Sequence, residues 1–94
     1  MHTNHPNGEI DKEKPIVFSP HAIDKMKRLT QVGINQEKAI ETIRKPSRLT
    51  EGYLGRKIAQ SSISGDLLLR VIYEETDNNV LVVTLYPAKR ERYE

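Results

Sequence analysis

The sequence predicts an α+β domain: a strand, two N-terminal helices, then a four-stranded antiparallel meander curling into a sheet with both helices on one face. Three observations predict it. Apolar residues recur at helical spacing in two stretches before Pro46 and at strand spacing after Ser47. The later apolar segments are short and separated by turn residues, as consecutive antiparallel strands are. The chain has 94 residues, enough for one small domain with a limited core.

The elements follow in order. Residues 1–14, MHTNHPNGEIDKEK, are polar around a single Ile10 and read as a flexible tail, so the domain is assigned to residues 15–94. Ile16-Val17-Phe18 is β-branched and aromatic, which suits a short strand. Ser19-Pro20 supplies an N-cap and a proline at the first helical position. Ala22, Met26 and Leu29, with Ile23 beside them, form the apolar stripe of the first helix, and Gly33 is a suitable stop. Asn35 caps the second helix, Ala39, Ile40 and Ile43 form its stripe, and Pro46 ends it. Strands are expected over residues 48–54, 56–63, 67–75 and 80–86, with turns at Leu54-Gly55, Ser64-Gly65-Asp66 and Asp77-Asn78-Asn79.

Composition excludes several classes of function. Cysteine is absent, which removes disulfide staples, thiolate zinc sites and cysteine nucleophiles. No apolar run is long enough to cross a membrane and no secretory leader is recognisable, so a cytoplasmic protein without membrane partners is expected. There is no glycine-rich phosphate loop and no pair of histidines at metal spacing, so neither metal nor cofactor is expected. Charged residues make up 30%, above the usual ~25%, but the net charge is only +2, too small to mark a nucleic-acid binder by itself.

Strand alternation locates the charge more usefully. In the third meander strand Leu67, Leu69, Val71 and Tyr73 share one face, and Leu68, Arg70, Ile72 and Glu74 the other. In the fourth, alternation groups Leu81, Val83 and Leu85 against Val80, Val82, Thr84 and Tyr86. The all-apolar sets are expected under the helices, leaving Arg70, Thr84 and Tyr86 on the uncovered face. An arginine in so apolar a strand must reach solvent, an acid or a ligand, because an unpaired buried charge is very costly. The structural alternatives are a cross-strand glutamate and a snorkelling side chain. His21 stands in the first turn of a helix, where the positive end disfavours imidazolium, so it suits a proton acceptor as well as an ordinary surface residue. Lys57, Lys89, Arg90 and Tyr93 are further candidates, as a phosphate-contacting set near the open face or as ordinary surface residues of a turn and a terminus.

Taken together, Phe18-Ser19-x-His21-Ala22-x-x-Lys25-Met26, Gly33-Ile34, Pro46, Gly55-Arg56, Leu69-Arg70-Val71-Ile72-Tyr73 and Val82-Val83-Thr84-Leu85-Tyr86-Pro87 resemble a family of small bacterial and archaeal domains of unknown function related to the RelE/ParE toxins. The resemblance spans residues 15–93 and rests on the order and spacing of short motifs. Two features depart from the pattern: Lys25 stands where an arginine is usual, and the 28–32 segment lengthens the link to Gly33-Ile34. The resemblance implies a RelE-like fold and a toxin component of a toxin–antitoxin system, with a small cognate antitoxin encoded by an adjacent gene. It implies either a metal-independent endoribonuclease acting on messenger RNA, on or off the ribosome, or a non-catalytic relative that binds a gyrase-type protein target or RNA. For the cleaving form, Arg70 would stabilise phosphate, Tyr86 or Tyr93 would stack on a base or orient the phosphate, His21 would carry the proton, and Lys57, Lys89 and Arg90 would add positive charge.

Overall fold

The computed structural model describes residues 14–93, and side chains through Glu91. The expected tail therefore lies outside the described residues except for Lys14, whose Nζ meets Glu75 Oε2 at 3.0 Å. The elements are β1 (Ile16–Phe18), α1 (Pro20–Leu29), a 3₁₀ turn (Thr30–Val32), α2 (Gln36–Arg44), β2 (Arg48–Glu51), a second 3₁₀ turn (Tyr53–Gly55), β3 (Lys57–Ser64), β4 (Leu67–Glu75), β5 (Val80–Lys89) and the short α3 (Arg90–Tyr93). The five strands form one mixed sheet in the order β1-β5-β4-β3-β2. The β2-to-β5 meander is antiparallel, and β1 returns to lie parallel against the outer side of β5.

Local chemistry sets the helix boundaries. Ser19 Oγ accepts from the Ala22 amide at 3.0 Å and donates to the Val83 carbonyl at 2.9 Å. One side chain thus caps α1 and ties it to β5. Asn35 Oδ1 caps α2 through the Lys38 amide. Gly33 closes the link between the helices at φ 89°, a left-handed conformation that costs glycine little. A Ser19→Ala chain is expected to lose about 1–2 kcal/mol, read as a lower urea midpoint at unchanged m-value.

Both helices cover the same side of the sheet. Ala22, Met26 and Leu29 of α1 and Ala39 and Ile43 of α2 join Ala59, Leu69, Val71, Tyr73, Val80, Val82 and Leu85 in one apolar cluster. Thr42 Oγ1 and Ser61 Oγ, 2.6 Å apart, bridge α2 to β3 within that layer.

Two expectations are corrected here. Val80 and Val82, not Leu81 and Val83, lie in the core, because the β4–β5 register skips a residue: Ile72 pairs with Thr84 but Tyr73 pairs with Val82. Val83 is the extra residue of a β-bulge, and it reverses the alternation on one side of itself. The C-terminal segment expected as a free end after Tyr86 is strand through Lys89, then helix. Pro87 is tolerated there because β1 covers only Val80 to Val82, leaving the outer side of β5 without a ladder that needs the missing N–H.

Tyr73 carries the one polar group of the apolar cluster. Its Oη is buried with no hydrogen-bond partner among the described residues. Burial, and then the nearby charges of Glu75 and Glu51, push its phenol from 10.0 up to about 12. The unfolded chain ionises this phenol at lower pH than the folded one does. Stability is therefore complete below pH 10 and falls as pH rises toward 12, by roughly 2–3 kcal/mol in total. Tyr73→Phe is expected to remove that part of the alkaline slope while leaving neutral-pH stability close to wild type, measured by urea unfolding across this range.

Candidate functional site

The helix-free face of the sheet is built from the strand positions that alternate away from the core. Register aligns one row straight across four strands: Arg48 on β2, Gln60 on β3, Arg70 on β4 and Tyr86 on β5. The neighbouring row toward the β4–β5 hairpin is Thr50, Ile58, Ile72 and Thr84. On the other side lie Ser62, Leu68 and Ala88. A polar, cationic stripe is thus set into an apolar and hydroxyl surround.

Arg70 lies along this stripe. Its Nε donates to Tyr86 Oη at 3.0 Å and its Nη1 donates to Gln60 Oε1 at 2.6 Å. The guanidinium carbon is 6.0 Å from the centre of the Tyr86 ring, at the outer limit of a cation–π contact. Gln60 is only 2% exposed, so its amide is a fixed acceptor. Tyr86 Oη and Gln60 Oε1 thus orient Arg70 from the two neighbouring strands. Glu74, the acid on the same face of β4, is engaged by Arg56, with Nε to Oε2 at 2.8 Å. Both members of that pair are more than a third exposed, so it adds little stability.

The structure brings Arg70 and Tyr86 together and places the other candidates elsewhere. His21 is exposed in the first turn of α1, which packs on the opposite side of the sheet from Arg70. Lys57 alternates to the helix side, opposite Tyr73, and reaches Glu75 Oε1 at 3.7 Å. Lys89 is exposed at the end of β5, paired with Leu67. Arg90 crosses to the β3–β4 turn: its Nε donates to the Gly65 carbonyl at 3.1 Å and its Nη2 to Ser62 Oγ at 2.7 Å. Its backbone amide donates to the Asp66 carbonyl at 2.8 Å. Arg90 therefore acts here as a clamp on that turn. The Tyr93 backbone lies in α3, and its side chain is outside the described set.

Sequence reasoning missed Gln60 and Arg48. Their signal is pairing register rather than residue type. Each lies an even number of positions from a residue on the helix-free face of its own strand, but only the β2–β3–β4 ladder puts them beside Arg70.

The fold and site define an α+β domain with an oriented arginine on the face of its sheet opposite α1 and α2. No protein-family model, curated protein or solved structure matches this chain. Among the described residues no group of three His, Cys, Asp or Glu is placed to hold a metal ion, and no helix is long and apolar enough to cross a membrane.

Proposed function

We propose that this chain is a RelE-like toxin component that engages the RNA backbone through the Arg48–Gln60–Arg70–Tyr86 row. One observation carries the reading: the Arg70 guanidinium is fixed within its row by hydrogen bonds to Tyr86 on one neighbouring strand and Gln60 on the other. A preset planar guanidinium suits phosphate oxygens, and an aromatic ring at its edge suits an adjacent base. The order of elements, with two helices on one side of the meander, supports the RelE-like assignment. A small acidic antitoxin, encoded by an adjacent gene, is the protein partner that this reading entails.

In the cleaving form the 2′-oxygen next to the scissile phosphate attacks phosphorus as its proton is withdrawn. The 5′-oxygen leaves with a proton, and a 2′,3′-cyclic phosphate remains. Arg70 would stabilise charge building on the phosphoryl oxygens. Because Tyr86 Oη accepts from Arg70 Nε, its own proton is left to donate to a phosphate oxygen or to the leaving oxygen. His21, expected as the proton acceptor, belongs to the other layer. That placement favours a second reading, in which the same row binds RNA without cleaving it.

The test is a salt titration of binding to a labelled single-stranded RNA, with the RNA ends mapped in parallel. Wild type is expected to bind more weakly as salt rises, and Arg70→Ala to flatten the slope by about 0.7 for each phosphate it no longer neutralises. New ends in wild type but not in Arg70→Ala support the cleaving form. Binding without new ends supports the second reading. A folded Arg70→Ala chain with wild-type affinity and slope overturns both.

A further inference from the structure

We infer that the free edge of β1, with the apolar groove beside it, is a docking site for an extended acidic segment of a partner protein, which adds to the sheet as a sixth strand. The two edges of the sheet differ in kind. β2, on one side, begins with Arg48 and ends with Glu51, and charges on a short edge strand discourage pairing. β1, on the other side, is Ile16-Val17-Phe18, without a charge. Its backbone polarity follows from two hydrogen bonds. Pro15 O accepts from the Val80 amide, so the trans peptide plane turns the Ile16 N–H outward. The Ser19 amide donates to Val82 O, so the Phe18 carbonyl points outward too. Alternation along the parallel pair sends the Ile16 carbonyl and the Phe18 N–H the same way. No described strand lies on that side.

Side chains beside this edge form a groove of about 440 Å³, lined by Ile16, Val17, Phe18, Ile23, Met26 and Gln36. Val17 is 42% exposed and Ile23 48%, on a chain whose other aliphatic residues in α1 and the central strands are well covered. A bare strand edge next to an apolar groove fits strand addition: main-chain bonds supply affinity, and every second side chain of the incoming segment enters the groove.

Charge selects the occupant. Lys27 follows Ile23 by four residues and so flanks the groove on the same side of α1. That helix carries Lys25, Lys27 and Arg28 against one acid, Asp24, which already meets Arg28 at 3.6 Å. A second copy of this chain, pairing β1 with β1, would overlap only three residues and bring two basic helices together. An acidic strand with apolar residues at alternate positions meets none of that repulsion. The Arg70 row is a separate surface: it runs across β2, β3, β4 and β5, on the opposite side of the sheet from α1.

The test uses the full chain and a capped eight-residue peptide of alternating glutamate and valine, with a lysine–valine peptide for comparison. Titration calorimetry reads affinity, and amide hydrogen exchange reads the edge. The glutamate–valine peptide is expected to bind saturably and to slow exchange at Ile16 and Phe18. The lysine–valine peptide is expected not to bind. Lys27→Glu, an exposed change that leaves the fold intact, should weaken binding about fivefold to tenfold at low salt. Ile16→Pro should abolish binding by removing an outward N–H, with circular dichroism checking its fold. Unchanged exchange at Ile16 and Phe18 with millimolar peptide overturns the proposal. So do equal affinities for the two peptides, and self-association of the chain that protects the same amides.

Discussion

Gln60→Glu is expected to leave the domain folded and to remove most of the RNA affinity proposed for the Arg70 row. The substitution keeps the shape of the side chain and puts a carboxylate where Arg70 Nη1 already donates at 2.6 Å. Residue 60 is 2% exposed, so a charge there is tolerated only if it is paired. Here it lies between two guanidinium-bearing residues of its own row, Arg70 on β4 and Arg48 on β2. A charge-assisted bond replaces a neutral one, offsetting the added desolvation, and the net change in stability is expected within about 1 kcal/mol. The effect on binding is large because the internal carboxylate neutralises the positive charge that would attract phosphate. Affinity should fall by about tenfold or more at low salt, and the salt slope should flatten with it. Urea unfolding and an RNA salt titration on one preparation separate the two quantities. Wild-type RNA affinity in a folded Gln60→Glu chain would show that RNA does not use this row.

Helices are more legible in the sequence than strand faces, for a physical reason. A helix announces itself locally: Ser19-Pro20 and Asn35 mark starts, Gly33 and Pro46 mark ends, and each of these residues sits where the backbone requires it. A strand face depends on pairing, and one extra residue reverses it. Val83 looks like any valine in Val80-Leu81-Val82-Val83, and nothing local shows that it is the bulged one. The bulge has a tertiary cause in view: the Val82 and Val83 carbonyls both accept from Ser19, which turns the chain from β1 into α1.

The candidate site divides in the same way. Arg70 and Tyr86 are legible because both lie on the regular stretch of ladder beyond the bulge, where alternation holds. Lys57 is not, because the start of β3 sets its parity and the strained turn before it hides that start. Leu54 there adopts φ 60°, unusual for a residue with a side chain. Arg56 instead takes the open face and holds Glu74. Arg90 can be read from the sequence only as a cation. Its hold on the β3–β4 turn depends on β5 running on to Lys89 and placing the arginine above that turn.

A pair of aspartate substitutions tests the bulge directly, and the two are expected to differ by the whole stability of the domain. Regular alternation puts Val83 in the core and Val82 outside it, and the bulged register puts Val82 in and Val83 out. Val82 has no exposed surface and packs among Tyr73, Val80 and the helices. An aspartate there gives up that apolar packing and buries a carboxylate with no cation in the cluster. The penalty is several kcal/mol, comparable to the ~5–15 kcal/mol that holds a domain of this kind together. Val82→Asp is therefore expected to give a chain without a cooperative unfolding transition. Val83 is only partly covered, and the bond it supplies to Ser19 Oγ comes from its backbone carbonyl, which substitution keeps. Val83→Asp is expected to fold, destabilised by about 1–2 kcal/mol through reduced apolar burial and lower strand preference. Thermal unfolding of the two chains side by side decides the matter. If Val83→Asp unfolds the chain and Val82→Asp does not, regular alternation holds through this strand. Val80 and Leu81 would then exchange sides of the sheet, while Thr84 and Tyr86, which lie beyond Val83 on the regular stretch of ladder, would keep theirs.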